Sequence, residues 1–382
     1  MTRVGAAALG LAAIVLIACG TSKVADEAQV NVSGRLLLPS GAPANGVTVG
    51  LLEEPDGLSA LVELTATLST VGLLCLTKAV TICQGARKTT TGADGHFAFT
   101  MSGKDSKNVL GNPARFQISA QLPSGAQVQT RFELTTSTIA VPTTTFWEPA
   151  ELSAVPAADF VTYSFSPFPA SSGYRLSLTR SDETIWSQQG PASGRIDARV
   201  LADAEADFHA VATVEKPGVG VVFTTDYHTP RISLRGKASP PPSRDAPCSV
   251  AGASAPQPLV PCTLTDGQYA ATFASQSCPA AATAPPPTPA PSPKRCQANT
   301  FVQVDLGAVR PISAVFLYGL GMSAQAVVEV SADGVKWTRA TRLKSVEYLA
   351  VTLPAGTSGR FVRLKSSNET LTIFSLTEFA VY

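Results

Sequence analysis

Histidine and methionine are scarce in this 382-residue chain, with three of each, and charged residues make up only 15% of it. His96, His209 and His228 are far apart in sequence, and none belongs to a His-Glu-x-x-His arrangement. The chain has no Gly-x-Ser-x-Gly elbow, no phosphate-binding Gly-rich loop ending in Lys-Ser/Thr, and no Gly-x-Gly-x-x-Gly dinucleotide pattern. His228, between Tyr227 and Thr229, is the one histidine placed to act as a base, and a loop histidine at a domain junction is more often plain surface. No paired carboxylates sit on a domain of catalytic size, which disfavours a glycan-degrading enzyme. The expectation is a chain with no enzymatic activity. The formal net charge is only +1, with both signs interspersed, so no extended polyanion-binding field and no nucleic-acid partner are implied. Amphipathic helical stretches are few, and short alternating runs broken by Gly, Pro, Ser and Thr predict an all-β chain of tandem sandwiches.

One long apolar run is present, at residues 4–17, preceded by Arg3 and followed by Ala18 and Cys19. It is shorter than the roughly 20 residues that a membrane-spanning helix needs, and its layout is that of a secretory signal. Leu16-Ile17-Ala18-Cys19 resembles a bacterial lipobox. The resemblance implies a diacylglycerol thioether on Cys19 and cleavage before it, so that residues 1–18 are a signal peptide and 19–28 a lipidated tether. Membrane lipid then becomes a partner through Cys19. The body faces the extracytoplasmic side of a cell membrane or outer membrane. Gly20, rather than Asp, follows the cysteine, so the inner-membrane retention signal of that family is absent. The nine residues 20–28 beyond the lipidated cysteine, fully extended, reach only about 30 Å, which keeps the first folded domain close to the lipid.

Setting Cys19 aside leaves six cysteines. Export places them in an oxidising compartment, and their local clustering pairs Cys75 with Cys83, Cys248 with Cys262, and Cys278 with Cys296. Zinc is disfavoured, because no histidine is near these cysteines and no Cys-x-x-Cys occurs.

Residues 29–148 open with alternating Val30, Val32, Leu36 and Leu38 and include Thr91-Gly-Ala-Asp94-Gly95-His-Phe97-Ala-Phe99. This pattern resembles the carboxypeptidase-regulatory-like, transthyretin-like (prealbumin-like) β-sandwich, with Asp94-Gly95 as a tight turn and Phe97 and Phe99 in the core. Residues 57–83 are an apolar insert with Leu58, Leu61, Val62, Leu68, Val71 and Leu74 near helical spacing. Two readings stand: a helix buried on the sandwich, or a surface resting on lipid or a partner. Residues 149–230 carry spaced strands around Tyr163, Tyr174, Trp186 and Phe208 and resemble a fibronectin-III-like sandwich, which implies a spacer with Trp186 in its core.

Residues 231–382 contain Leu264-Thr-Asp266-Gly267, Phe301-Val-Gln-Val-Asp-Leu-Gly307, Val328-Glu-Val-Ser-Ala-Asp333-Gly334-Val-Lys-Trp337 and Gly359-Arg-Phe-Val-Arg-Leu364. In this order they resemble a discoidin (coagulation factor V/VIII type C) domain, a jelly-roll, galactose-binding-like sandwich. Val302, Val304 and Leu306 read as a half-buried strand, Asp333-Gly334 as a hairpin turn and Trp337 as core. A Pro-rich loop, 284–293, departs from that family. The resemblance implies a structural Ca²⁺ held by Asp266, Thr272 and Glu378, hard oxygen donors suited to calcium. It also implies ligand contacts from loop aromatic and basic residues, here Tyr269, Arg342 and Lys344. The expected function is a lipid-anchored envelope protein that binds carbohydrate or another envelope component. The alternative is a structural or assembly role in which the discoidin-like domain docks an envelope protein.

Overall fold

The computed structural model describes residues 24–54, 87–108, 111–169, 171, 173–181, 183–251, 256–269, 273–276, 301–319, 321–322, 326–343, 348–366 and 373–382. Cys19, Cys75, Cys83, Thr272, Cys278, Cys296, Lys344, the insert 57–83 and the loop 284–293 lie outside the described residues. The regular structure is all-β, apart from two single-turn 3-10 segments, Lys104–Ser106 and Ala198–Val200, among the described residues. The chain divides into two compact units. One takes the chain up to Leu152 with Phe165–Tyr174 and His209–Arg231, and the other takes Ser153–Ser164, Arg175–Phe208 and Ile232–Tyr382. The stretch 149–230 therefore contributes segments to both units.

In the first unit, strand Gln29–Leu37 buries Val30, Val32 and Leu36, which follow the two-residue period of a sheet with one covered face. It pairs antiparallel with His96–Ser102, in the register Val32 to Phe99, and parallel with Thr138–Ala140. Phe97 and Phe99 are buried, as their alternation predicts. The Asp94 carboxylate accepts the His96 amide at 3.0 Å, and Gly95 adopts φ 79° to close the turn. A second, antiparallel sheet runs Arg87–Thr90, Thr48–Glu54, Arg115–Gln121, Gln127–Glu133, Val222–His228 and the Val211–Pro217 end of strand Glu205–Pro217. Its core is aromatic: Phe132 packs 6.3 Å from Phe116 and 5.8 Å from Phe223, measured between ring centroids. His228 ends a paired strand rather than lying in a loop, and its ring stacks on His209 at 5.6 Å. The pleat brings these two rings together, so the loop expectation for His228 is corrected.

In the second unit, Ser153–Pro156, Phe160–Ser164 and Ser193–Asp197 form a small sheet. The C-terminal body is a β-sandwich. One layer has six strands, in the order Pro256–Leu259, Cys248–Ala251, Phe301–Pro311, Ser358–Ser366, Ala326–Ser331 and Thr338–Leu343. The other layer includes Leu349–Thr352, Ala314–Tyr318 and Glu378–Val381. Val302, Val304, Val328, Val330, Val362 and Leu364 of the first layer share one core with Val315, Leu317, Phe379 and Val381 of the second. The Cys248–Cys262 disulfide is formed, with its Cα atoms 5.6 Å apart.

Ala314–Tyr318 is buried at every position, the mark of a strand covered on both faces. Val315 and Leu317 fill the sandwich core, while Phe316 and Tyr318 meet Trp186 at 6.1 and 5.1 Å. Trp186 is buried, as expected, but against the C-terminal body rather than within an independent spacer. The expectation for Trp337 is also corrected. The turn formed by Ser331, Asp333 and Gly334 places its indole on the outer face of the six-stranded sheet, where Nε1 donates to the Gly334 carbonyl and the ring is half-exposed.

Candidate functional site

The discoidin-like pattern centres on the Leu264–Gly267 segment, which is locked to the sandwich by backbone bonds. The Phe379 amide donates to the Leu264 carbonyl at 2.7 Å, and the Asp245 amide donates to the Thr265 carbonyl at 2.9 Å. The buried Thr265 hydroxyl donates to the Ala246 carbonyl. These bonds leave Gly267 at φ 69°, with its amide pointing inward. A Cβ there would come within 2.4 Å of the Arg244 guanidinium, so glycine satisfies both the turn and the close approach.

Both oxygens of Glu378 accept the Gly267 N–H at 3.2 Å. Glu378 is 1% exposed, and burial, followed by the charge of Asp266, pushes its carboxyl up to about 8. The Gly267 amide and Arg244 pull the other way without cancelling this. Asp266 accepts the Gln268 amide at 2.8 Å. Two of the three expected calcium ligands, Asp266 and Glu378, are thus held at one turn, and Thr272 is outside the described residues. Two carboxylates and a backbone turn are oxygen donors that fit a hard divalent cation, and a buried carboxylate raised in this way is the group that such a cation would stabilise. Among the described residues, no three His, Cys, Asp or Glu side chains gather as a metal cluster.

The expected ligand contacts are placed differently. Tyr269 is not on the surface: at φ 55° its ring turns inward, 5% exposed and 4.8 Å from Tyr318, and burial pushes its phenol up to about 12. The turn at Gly267 reverses the chain and directs this side chain inward. Arg342 is exposed on strand Thr338–Leu343, opposite Val327. The sequence reading missed Arg244, whose Nη2 donates to Asp203, and Tyr318, whose hydroxyl donates to the Val200 carbonyl at 2.7 Å. Both contacts span long sequence separations, so no local pattern marks them.

A cleft of about 640 Å³ lies in the first unit, lined by residues including Glu54, Arg115, Arg131 and Glu133. Its guanidiniums are already matched: Arg115 pairs with Glu133, and Arg131 pairs with the buried Asp226.

No protein-family model and no curated protein matches the chain. Solved structures overlap part of it. CpGH89CBM32-6, produced by Clostridium perfringens, is 19% identical over 36% of this chain and 93% of its own, with a TM-score of 0.25. Chitosan-binding module 2 in complex with chitotriose, derived from the chitosanase/glucanase of Paenibacillus sp. IK-5, is 20% identical over 37% of this chain and 98% of its own, with a TM-score of 0.26. The CBM32 of AlyQ in complex with 4,5-unsaturated mannuronic acid is 13% identical over 31% of this chain and 83% of its own, with a TM-score of 0.23. At these scores the likeness carries no weight, and the functional reading rests on the chain's own residues.

Proposed function

We propose that the chain is an extracytoplasmic protein, tied to a membrane by lipid on Cys19, whose C-terminal β-sandwich binds carbohydrate without catalysis. The observation that supports this most is the corner formed by Asp266, Gly267 and Glu378. A discoidin-like sequence pattern and a buried carboxylate suited to a divalent cation meet there in one sandwich. When bound, Ca²⁺ would displace the proton of Glu378, hold its carboxylate and fix the 264–269 turn, with Asp266, Glu378 and Thr272 as its side-chain ligands.

The test is a glycan array probed with the chain from Gly20 onward, produced with its disulfides formed. Retention of one or more sugars supports the reading. Retention of none, together with capture of a defined envelope protein, favours the docking alternative instead. Metabolic labelling with a fatty acid tests the anchor, because a Cys19→Ser chain should incorporate no label.

A further inference from the structure

The outer face of the six-stranded layer carries an unusual set of side chains. Its rows follow from the register. Arg342 and Lys365 both lie opposite Val327, on either side of it, and Phe301 lies beside Lys365. In the next row, Arg339 lies opposite Glu329, followed by Arg363, Gln303 and Ser249. Phe361 and Asp305 continue the face, with Trp337 at its edge. Neighbouring strands are about 4.8 Å apart, so the Arg342 and Lys365 backbones stand about 10 Å apart, with Arg339 about 7 Å further along.

Two of the five cations on this face are spent internally. Arg363 pairs with Glu329 at 2.6 Å and lies 3.8 Å over the Trp337 ring, with Phe301 at 5.4 Å. Arg360 pairs with Asp305 at 2.8 Å and covers Phe361 at 4.8 Å. The remaining three, Arg339, Arg342 and Lys365, make no ion pair among the described residues, and both arginines are exposed. Phe301, Phe361 and Trp337 are half-buried in the same face, and Gln303 and Ser249 supply neutral hydrogen-bonding groups.

We propose that this face binds an acidic polysaccharide. Arg339, Arg342 and Lys365 pair with its carboxylates, and Gln303 and Ser249 hydrogen-bond its hydroxyls. This deepens the carbohydrate reading by naming a sugar class at a second place on the same body, and it rests on that reading for the partner being a saccharide. A bilayer is less well matched, because none of the exposed large apolar side chains lies on these rows. A nucleic acid calls for a longer cationic track than three charges.

The experiment measures binding of the chain from Gly20 onward to polygalacturonate and to its methyl-esterified form, which has the same backbone without the charge. Phosphatidylglycerol vesicles and single-stranded DNA serve as rivals. The expected result is binding of polygalacturonate only, weakened by salt. It should fall at least tenfold in an Arg339→Gln, Arg342→Gln, Lys365→Gln variant that melts like the parent, and it should be unaffected by EDTA. Equal binding of the esterified polymer, unchanged binding by the variant, loss on EDTA, or tighter binding of vesicles or DNA would each overturn it. Neutral sugars retained on the array without polygalacturonate would overturn this inference alone. No sugar retained at all would overturn the broader reading as well.

Discussion

The Tyr318 hydroxyl donates to the Val200 carbonyl at 2.7 Å, joining the centre of the C-terminal sandwich to the chain that precedes it. The Trp186 ring lies against Tyr318, Phe316 and Tyr348, the Tyr348 hydroxyl donates to the Thr184 carbonyl, and the Tyr382 hydroxyl donates to the Arg199 carbonyl. Segments 183–200 and 313–382 therefore share an apolar, hydrogen-bonded contact inside one unit.

Trp186→Ala is expected to destabilise the unit by about 3–5 kcal/mol, as truncation of a buried aromatic does. Chemical denaturation of the chain from Gly20 onward measures this. A loss below about 1 kcal/mol would mean that the contact contributes little.

Glycine at position 95 is required by geometry. Its φ is 79°, and an added Cβ would lie 2.3 Å from the Leu36 carbonyl oxygen. Gly41 has φ 82° but open space around it. Gly95→Ala should therefore cost about 2 kcal/mol or more and Gly41→Ala only about 1 kcal/mol. Urea midpoints of the two variants check the order.

The Cys248–Cys262 bridge closes a loop with a sequence separation of 14. Replacing both cysteines by serine should lower stability by about 3 kcal/mol, through the greater freedom of the unfolded chain. Equal melting of the parent with and without reductant would contradict this.

Glu378 predicts a pH dependence. Its folded carboxyl titrates near 8 against an ordinary value of 4.5, so folding favours the protonated form. The stability this gives is full below about 4.5 and is lost as pH rises through about 8, on the order of 5 kcal/mol in all for the metal-free protein. Glu378→Gln should flatten that dependence. A metal-free parent whose melting is level from pH 5 to 9 would refute it.

Strand-level structure was legible wherever one sheet face is wet. Val30/Val32/Leu36, Phe97/Phe99 and Val302/Val304/Leu306 alternate because only one side is covered, and the Asp-Gly turns need a positive φ that the sequence displays. Ala314–Tyr318 is apolar throughout, and its pattern does not say what lies on its second side. Trp186 was legible as buried, but its neighbours were not, because they lie more than a hundred residues away. At the candidate site, Asp266 and Glu378 could be read from a family-like motif. Arg244, and the inward turn of Tyr269, depend on contacts that no local window contains. Trp337 misled for a related reason: one turn residue decides which sheet face a following side chain takes.

The corner of Asp266 and Glu378 is tested most directly by calorimetric melting of the chain from Gly20 onward, at pH 7.5, in EDTA and in millimolar calcium. Calcium should raise the melting temperature of the parent by several degrees and leave a Glu378→Gln chain unchanged. Identical melting of the parent in both solutions would contradict a divalent cation at this corner.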